Sequence, residues 1–445
     1  MKSFSLIVSV GFFLLLAGIS NGKEQITQVP DTWTMENAVS FAVANNPDSF
    51  IAHKRIEEAR TMIATAQSID YPMVNLSAGY SQTNNPMYSF GNILNQGAFN
   101  QTIDFNDPGR TDNLNLKASI GYRVYNGGRT TAEIDAAKAA TEMQKAGLAS
   151  VHQRLAFEVI KTFHAIVQAK EMVKVRQEAL DAIGAALDVA NARFEAGDLL
   201  RSDLLNLELQ QSRASENLIQ SRHTLELTKR SFLNLLGLKE GEVKISTEDL
   251  AAQEIPVNID GSSRQELKQL KAREKASLAE LRKAESGRLP TVDAFASYQV
   301  DGGLVLEEGG NSWMAGLKMD YKLFDGDRTA SMIAKARARL QEIRGLIRKT
   351  ELAINLEIQQ AELDYKQARK RVSVTEKMVL VAQEGIRLSR ARFKEGVILA
   401  SDLIDFEMRL SDALARRLAA KARYQVAIAN LRKVAGLEQF PTTGE

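Results

Sequence analysis

The chain carries the same pattern twice. Residues 122–130 read YRVYNGGRT and 321–329 read YKLFDGDRT, while 192–208 read ARFEAGDLLRSDLLNLE and 391–407 read ARFKEGVILASDLIDFE. Each pair is displaced by 199 positions, and Leu236-Gly237-Leu238 keeps that displacement from Ala435-Gly436-Leu437. Spacing held constant from Tyr122 to Leu238 requires rigid elements without insertions, because loops drift in length. A solenoid needs at least three units, so two long ones predict a pseudo-symmetric protomer. The 445 residues therefore read as one architecture repeated rather than as several domains. The units are 47–238 and 263–438, with 23–46, 239–262 and a tail, 439–445, outside them.

Each unit is expected to contain a helix, two strands and a long helical hairpin. Val74, Leu76, Ala78 and Tyr80 alternate with polar or small residues, as do Leu116, Ala118, Ile120, Tyr122 and Val124. In the second unit Val292, Ala294, Ala296, Tyr298 and Val300 share one face. Trp313, Ala315, Leu317, Met319, Tyr321 and Leu323 share another. Period-two alternation predicts strands with one apolar face. The stretch Ser81–Asn113 is rich in Asn, Gly, Ser and Pro and reads as an exposed loop. Asp301-Gly302-Gly303 and Glu308-Gly309-Gly310 read as the hairpin loop of the second strand pair.

Proline position supports the long helices. The stretches 109–255 and 291–440 contain none, and an interior proline costs a helix about 3 kcal/mol. Helices are expected over Arg129–Ala196 and Arg328–Glu395, each on the order of 100 Å long. Leu180, Ile183, Leu187, Ala190 and Phe194 have coiled-coil spacing, matched by Val379, Ala382, Ile386, Ser389 and Phe393. Gly197 and Gly396 end these helices. Shorter helices follow over Ser202–Leu236 and Ser401–Ala435, and others precede the strands over Pro47–Asp70 and Arg264–Arg288. An upstream and a downstream short helix together nearly match one long helix, so they are expected to stack collinearly beside it. Ala52, Ala59 and Ala66 have heptad spacing, which suits close helix approach or simply helix propensity. Segments 23–46 and 239–262 fit neither element and are expected to form an equatorial belt.

The N-terminus reads as an export signal over 1–22: Lys2, an apolar run from Phe4 to Ala17, then Gly18, Ser20 and Gly22. With no cysteine in the chain, disulfides, thiolate chemistry and a lipoprotein anchor are excluded. No later stretch is apolar enough for a membrane helix, so any insertion uses strands. Seven of the nine tyrosines, and Trp313, lie at 71–125 or 298–321, as expected of interfacial aromatics on a membrane barrel. Four strands cannot close a barrel, so the chain must oligomerise to 8, 12 or 16 strands. The balance of 57 Lys and Arg against 55 Asp and Glu argues against a nucleic-acid partner. His53, His152, His164 and His223 have no metal-ligand spacing, and no nucleophile, phosphate-loop or dinucleotide motif occurs. No enzyme activity, cofactor or metal is expected.

The assembled pattern resembles the TolC-type outer-membrane efflux proteins, or outer membrane factors, over nearly the whole mature chain. The residues that carry the resemblance are Trp33-Thr34-Met35-Glu36-Asn37-Ala38-Val39, Asn45-Asn46-Pro47, the alanine heptad before Tyr71-Pro72, and the two duplicated motifs. The resemblance implies a homotrimer: a 12-stranded β-barrel in outer-membrane lipid, continuous with a long α-helical coiled-coil barrel in the periplasm of a Gram-negative bacterium. It implies the exit duct of a tripartite efflux or type I secretion system, working with a periplasmic adaptor and an inner-membrane transporter. The competing reading is a periplasmic coiled-coil scaffold or adaptor without a pore.

Two groups of residues carry candidate function. Gly197, Leu199 and Leu200, with Gly396, Val397, Ile398 and Leu399, put apolar side chains into the short hairpin turns. They are either helix caps with a hydrophobic staple or, as the resemblance implies, an adaptor-contacting tip. Asp402 and Asp405 share one face of a first helical turn, and Asp203 occupies the place matching Asp402. With Ser401 as N-cap these acids complement the helix dipole. The resemblance implies instead that they ring a periplasmic gate, where crowded carboxylates repel or recruit cations. The family's basic residue two places after the second glycine is Ile398 here, so its locking contacts are not carried over.

Overall fold

A computed structural model describes residues 29–246, 255–256 and 259–440. The expected signal at 1–22, the start of the N-terminal segment, part of 239–262 and the tail from 441 lie outside the described residues.

Helix α1 (Met35–Asn45) begins in a reciprocal cap: Asn37 N–H donates to Thr34 Oγ1 at 3.2 Å, and Thr34 N–H to Asn37 Oδ1 at 2.9 Å. Helix α2 (Pro47–Gln67) follows at once, with Asn46 as N-cap and proline at its first position. Ala52 and Ala59 are buried against α4 (Arg129–Glu195), and Ala66 is half-buried. Thr141 of α4 donates to the Ala59 carbonyl at 3.2 Å, so the two backbones approach closely there.

Strands β1 (Met73–Thr83), β2 (Thr111–Tyr125), β3 (Thr291–Gly302) and β4 (Gly309–Asp320) form one antiparallel sheet in sequence order. Register pairs Val74 with Ile120, Tyr122 with Ala294, and Tyr298 with Trp313. The strand joining the two repeats is therefore β2 against β3, fastened also by an Arg123–Asp293 ion pair. Tyr321 and Leu323, read as part of the last strand, lie beyond its end at Asp320. The Gly-rich hairpin loop is shorter than expected, because Asp301-Gly302 and Gly309-Gly310 remain paired.

The stretch read as an exposed loop, Ser81–Asn113, is corrected in part. It contains helix α3 (Pro86–Asn95), started by Asn85, whose Oδ1 accepts from Met87 N–H at 3.1 Å. Ile93 buries itself against the strand ends. Gln96, Asp112 and Asp301 are also buried there, with Leu304 and Val305 N–H groups on the Asp112 carboxylate at 2.9 and 2.8 Å.

Helices α4 and α7 (Arg328–Lys394) have 67 residues each, and α5 (Arg201–Leu235) and α8 (Ala400–Val434) have 35 each. Helix α6 (Gln265–Glu285) packs beside α4 and α7. The short helices meet end to end beside the long ones: Asn46 at the start of α2 donates to the last carbonyl of α5, Leu235, at 2.8 Å. Gly237 (φ 79°) passes so close to Asn45 that a Cβ would sit 2.7 Å from its carbonyl oxygen. At this junction Trp33 stands edge-on to Phe41 and Phe232 at 5.2 and 5.9 Å, with Phe163 and Ile160 beneath. Trp33 also bridges Ile245 in parallel, tying the chain before α1 to the chain after α5.

Candidate functional site at the hairpin tip

The tip is set by two matching helix ends. At the end of α4, Gly197 takes φ 84°, Asp198 N–H donates to Arg193 O at 2.8 Å and Gly197 N–H to Phe194 O at 3.0 Å. At the end of α7, Gly396 takes φ 76°, Val397 N–H reaches Arg392 O at 2.9 Å and Gly396 N–H Phe393 O at 3.0 Å. Both are Schellman ends, which need a residue tolerant of positive φ at C′.

The apolar turn residues divide into two sets. Leu199 and Ile398 are half-buried against the cluster of Ala190, Leu204, Leu207, Ile386, Phe393 and Leu403. Leu200, Val397 and Leu399 point out, at 70%, 71% and 63% exposure. Packing thus accounts for the first pair and leaves the three others without cover among the described residues.

The acids also separate. Leu399, not Ser401, is the N-cap of α8, and Leu200 is that of α5. Leu403 and Leu204 pack into the tip cluster, and each cap lies two residues earlier than the Ser-Asp dipeptides suggest. Asp402 falls at N3 and its Oδ2 accepts from Leu399 N–H at 3.3 Å. Asp405 is one turn further and exposed, with Arg409 3.4 Å away. Asp203 is half-buried and makes no ion pair among the described residues.

Arg193 is a tip residue that the sequence pattern did not single out. Its Nη1 donates to Phe393 O at 3.1 Å, its Nη2 to Asp198 O at 3.2 Å, and its guanidinium lies 5.5 Å from the Phe393 ring centre. It thereby joins the end of one hairpin to the end of the other, placing a cation on carbonyls at a helix C-terminus. Only its place in a last helical turn hinted at this. Behind it, Arg390 meets the buried Glu407 at 2.7 Å. Among the described residues no group of three or more His, Asp or Glu side chains could hold a metal ion.

The chain matches the outer membrane efflux protein family over residues 38–238 and 262–437. It is 22% identical over 350 residues to Protein CyaE of Bordetella pertussis, covering 76% of this chain and 70% of that one. It is 19% identical over 414 residues to Outer membrane protein TolC of Vibrio cholerae, covering 89% of each. The solved structure of CusC superposes with a TM-score of 0.80 at 15% identity, covering 93% of this chain and 96% of that one. The two matched stretches coincide with the two halves of the duplication and leave the post-α5 segment between them, and on this ground the chain belongs to the outer membrane efflux protein family.

Proposed function

We propose that three copies of this chain form a channel-tunnel that carries cargo from an inner-membrane transporter and periplasmic adaptor to the outside. The observation that carries this reading is the sheet. Its edges, β1 and β4, have no partner among the described residues, and Leu76, Leu317 and Trp313 stand 83%, 74% and 76% exposed on its surface. Such a sheet is tolerable only where neighbours pair its edges and lipid covers its apolar face. Twelve strands from three copies complete the barrel, and outer-membrane lipid surrounds it.

The duplicated tip supports the same copy-to-copy arrangement. Phe393 is 2% exposed beneath Arg193, whereas its counterpart Phe194 is 36% exposed. Arg392, the counterpart of Arg193, is exposed. Arg392 of each copy on the Phe194 carbonyl of a neighbouring copy would repeat the internal clamp around the ring. Asp402 and Asp405 then face the narrowed entrance as a gate, with Asp203 beside them. The outward Leu200, Val397 and Leu399 offer the adaptor an apolar foothold beside Gly197 and Gly396, while Leu199 and Ile398 support it from beneath.

Outer membranes separated from periplasm test the reading. A species that migrates as three copies unheated and as one when boiled, and that conducts in planar bilayers, supports it. Recovery as a soluble periplasmic protein without conductance favours the scaffold and overturns the channel.

A further inference from the structure

A cavity of about 650 Å³ lies directly beyond the strand ends, between the start of α4, the end of α6 and the start of α7. Six of its thirteen lining residues are basic: Arg129, Lys283, Lys322, Arg328, Lys335 and Arg339. Arg129 and Lys283 are partly neutralised by Glu133, at 3.2 and 3.4 Å. The other four make no ion pair among the described residues. The acids lining the cavity are Glu280 and Asp325, and Asp325 is engaged by Thr329 N–H and hydroxyl at 3.0 and 2.6 Å.

Half of this charge is particular to the second repeat. At a displacement of 199, Lys335 and Arg339 match Ala136 and Ala140 and Met332 matches Glu133, whereas Lys322 and Arg328 match Arg123 and Arg129. The surroundings' chemistry is not that of a water-filled anion site alone. Leu323 and Phe324, beside Lys322, are 87% and 83% exposed, and Met332 is also exposed on the cavity wall. Exposed apolar side chains next to unpaired cations, at the end of a membrane strand, match the boundary between acyl chains and phosphates.

We propose that this cavity binds the phosphate headgroup of an anionic glycerophospholipid from the periplasmic leaflet. Lys322, Arg328, Lys335 and Arg339 hold the phosphate, and Leu323 and Phe324 reach the acyl chains. The proposal rests on the reading above that the strands lie in the outer membrane and α4 and α7 in the periplasm.

The test is native mass spectrometry of the purified full chain equilibrated with phosphatidylglycerol or phosphatidylcholine. The wild type is expected to retain phosphatidylglycerol about tenfold more strongly, and Lys335→Gln with Arg339→Gln to lose that preference. The charge-preserving pair Lys335→Arg with Arg339→Lys is expected to keep it. Should the double glutamine variant not fold, Lys322→Gln in the loop gives the same readout with a smaller loss. Equal retention of both lipids by the wild type, an unchanged preference in the glutamine variants, or displacement by millimolar inorganic phosphate overturns the lipid site. Failure of the wild type to form pores in planar bilayers is a separate outcome that removes the channel reading itself.

Discussion

Asn46 Nδ2 donates to the Leu235 carbonyl at 2.8 Å while Oδ1 of the same amide accepts from Asp48 N–H at 2.8 Å. One buried side chain thus starts α2 and finishes α5. Asn46→Ala is expected to cost about 2 kcal/mol, through a lost cap and an unpaired, half-buried carbonyl. Asn46→Ser, which keeps the cap but not the reach to Leu235, is expected to cost about half of that. Thermal melts followed by helical circular dichroism read the difference, and equal stability of all three proteins would refute the double role.

Asp402→Ala combined with Asp405→Ala is expected to raise single-channel conductance in planar bilayers and to weaken block by added divalent cations. The pair is exposed, so stability should change by less than about 1 kcal/mol. Unchanged conductance and unchanged block would sink the gate assignment.

Arg193→Ala removes two charge-assisted hydrogen bonds, one to Phe393 O that joins the two hairpins and one to Asp198 O that braces its own turn. Faster proteolysis at 196–200 and higher conductance are the expected outcomes. Arg193→Lys should restore little, because an ammonium cannot span both carbonyls as the guanidinium fork does. A wild-type proteolysis rate in Arg193→Ala would show that the clamp does not hold the tip.

Much of this architecture is written in local chemistry. Gly197 and Gly396 end helices because positive φ suits glycine, and the two proline-free stretches allow 67-residue helices. The strands follow from alternation that needs no tertiary information. Helix α3 escaped notice because its start signal, Asn85-Pro86, sits in a stretch whose Asn, Gly and Ser content is that of a loop; burial of Ile93 stabilises it instead. Ser401 looks like a cap, but Leu399 takes that place once Leu403 packs against the neighbouring hairpin. Likewise the turns were visible as a candidate site, yet which leucines face outward depends on contacts between residues 200 positions apart. The Arg193–Phe393 clamp is hidden for the same reason.

His164 should make the helical region sensitive to acid. It is buried beside Phe163, and that burial pushes its pKa down to about 4. The nearby cavity is lined also by Glu171, Arg417 and Lys421. Between the unfolded value of about 6.5 and about 4, the unfolded chain takes up a proton that the folded chain refuses. Stability is therefore full above about pH 6.5, falls by about 3 kcal/mol as pH drops to about 4, and is flat below that for this group. His152, lowered by burial and by the neighbouring His53, adds in the same direction. Melting temperatures across this range, with His164→Leu as control, read the effect: the variant should lose most of the slope, and an identical slope would assign it elsewhere.

The sheet has a consequence for biogenesis. Helices α1, α4, α5 and α8 share a core around Trp33 and Phe163, and α6, α7 and α8 share one around Leu267, Ile354 and Leu431, but the four strands have almost none among the described residues; in the proposed channel, neighbouring copies and lipid supply it. If the proposed channel forms, a newly exported chain matures in two stages, its rod first and its membrane cap last. During the interval its bare strand edges are the part that quality-control chaperones must shield.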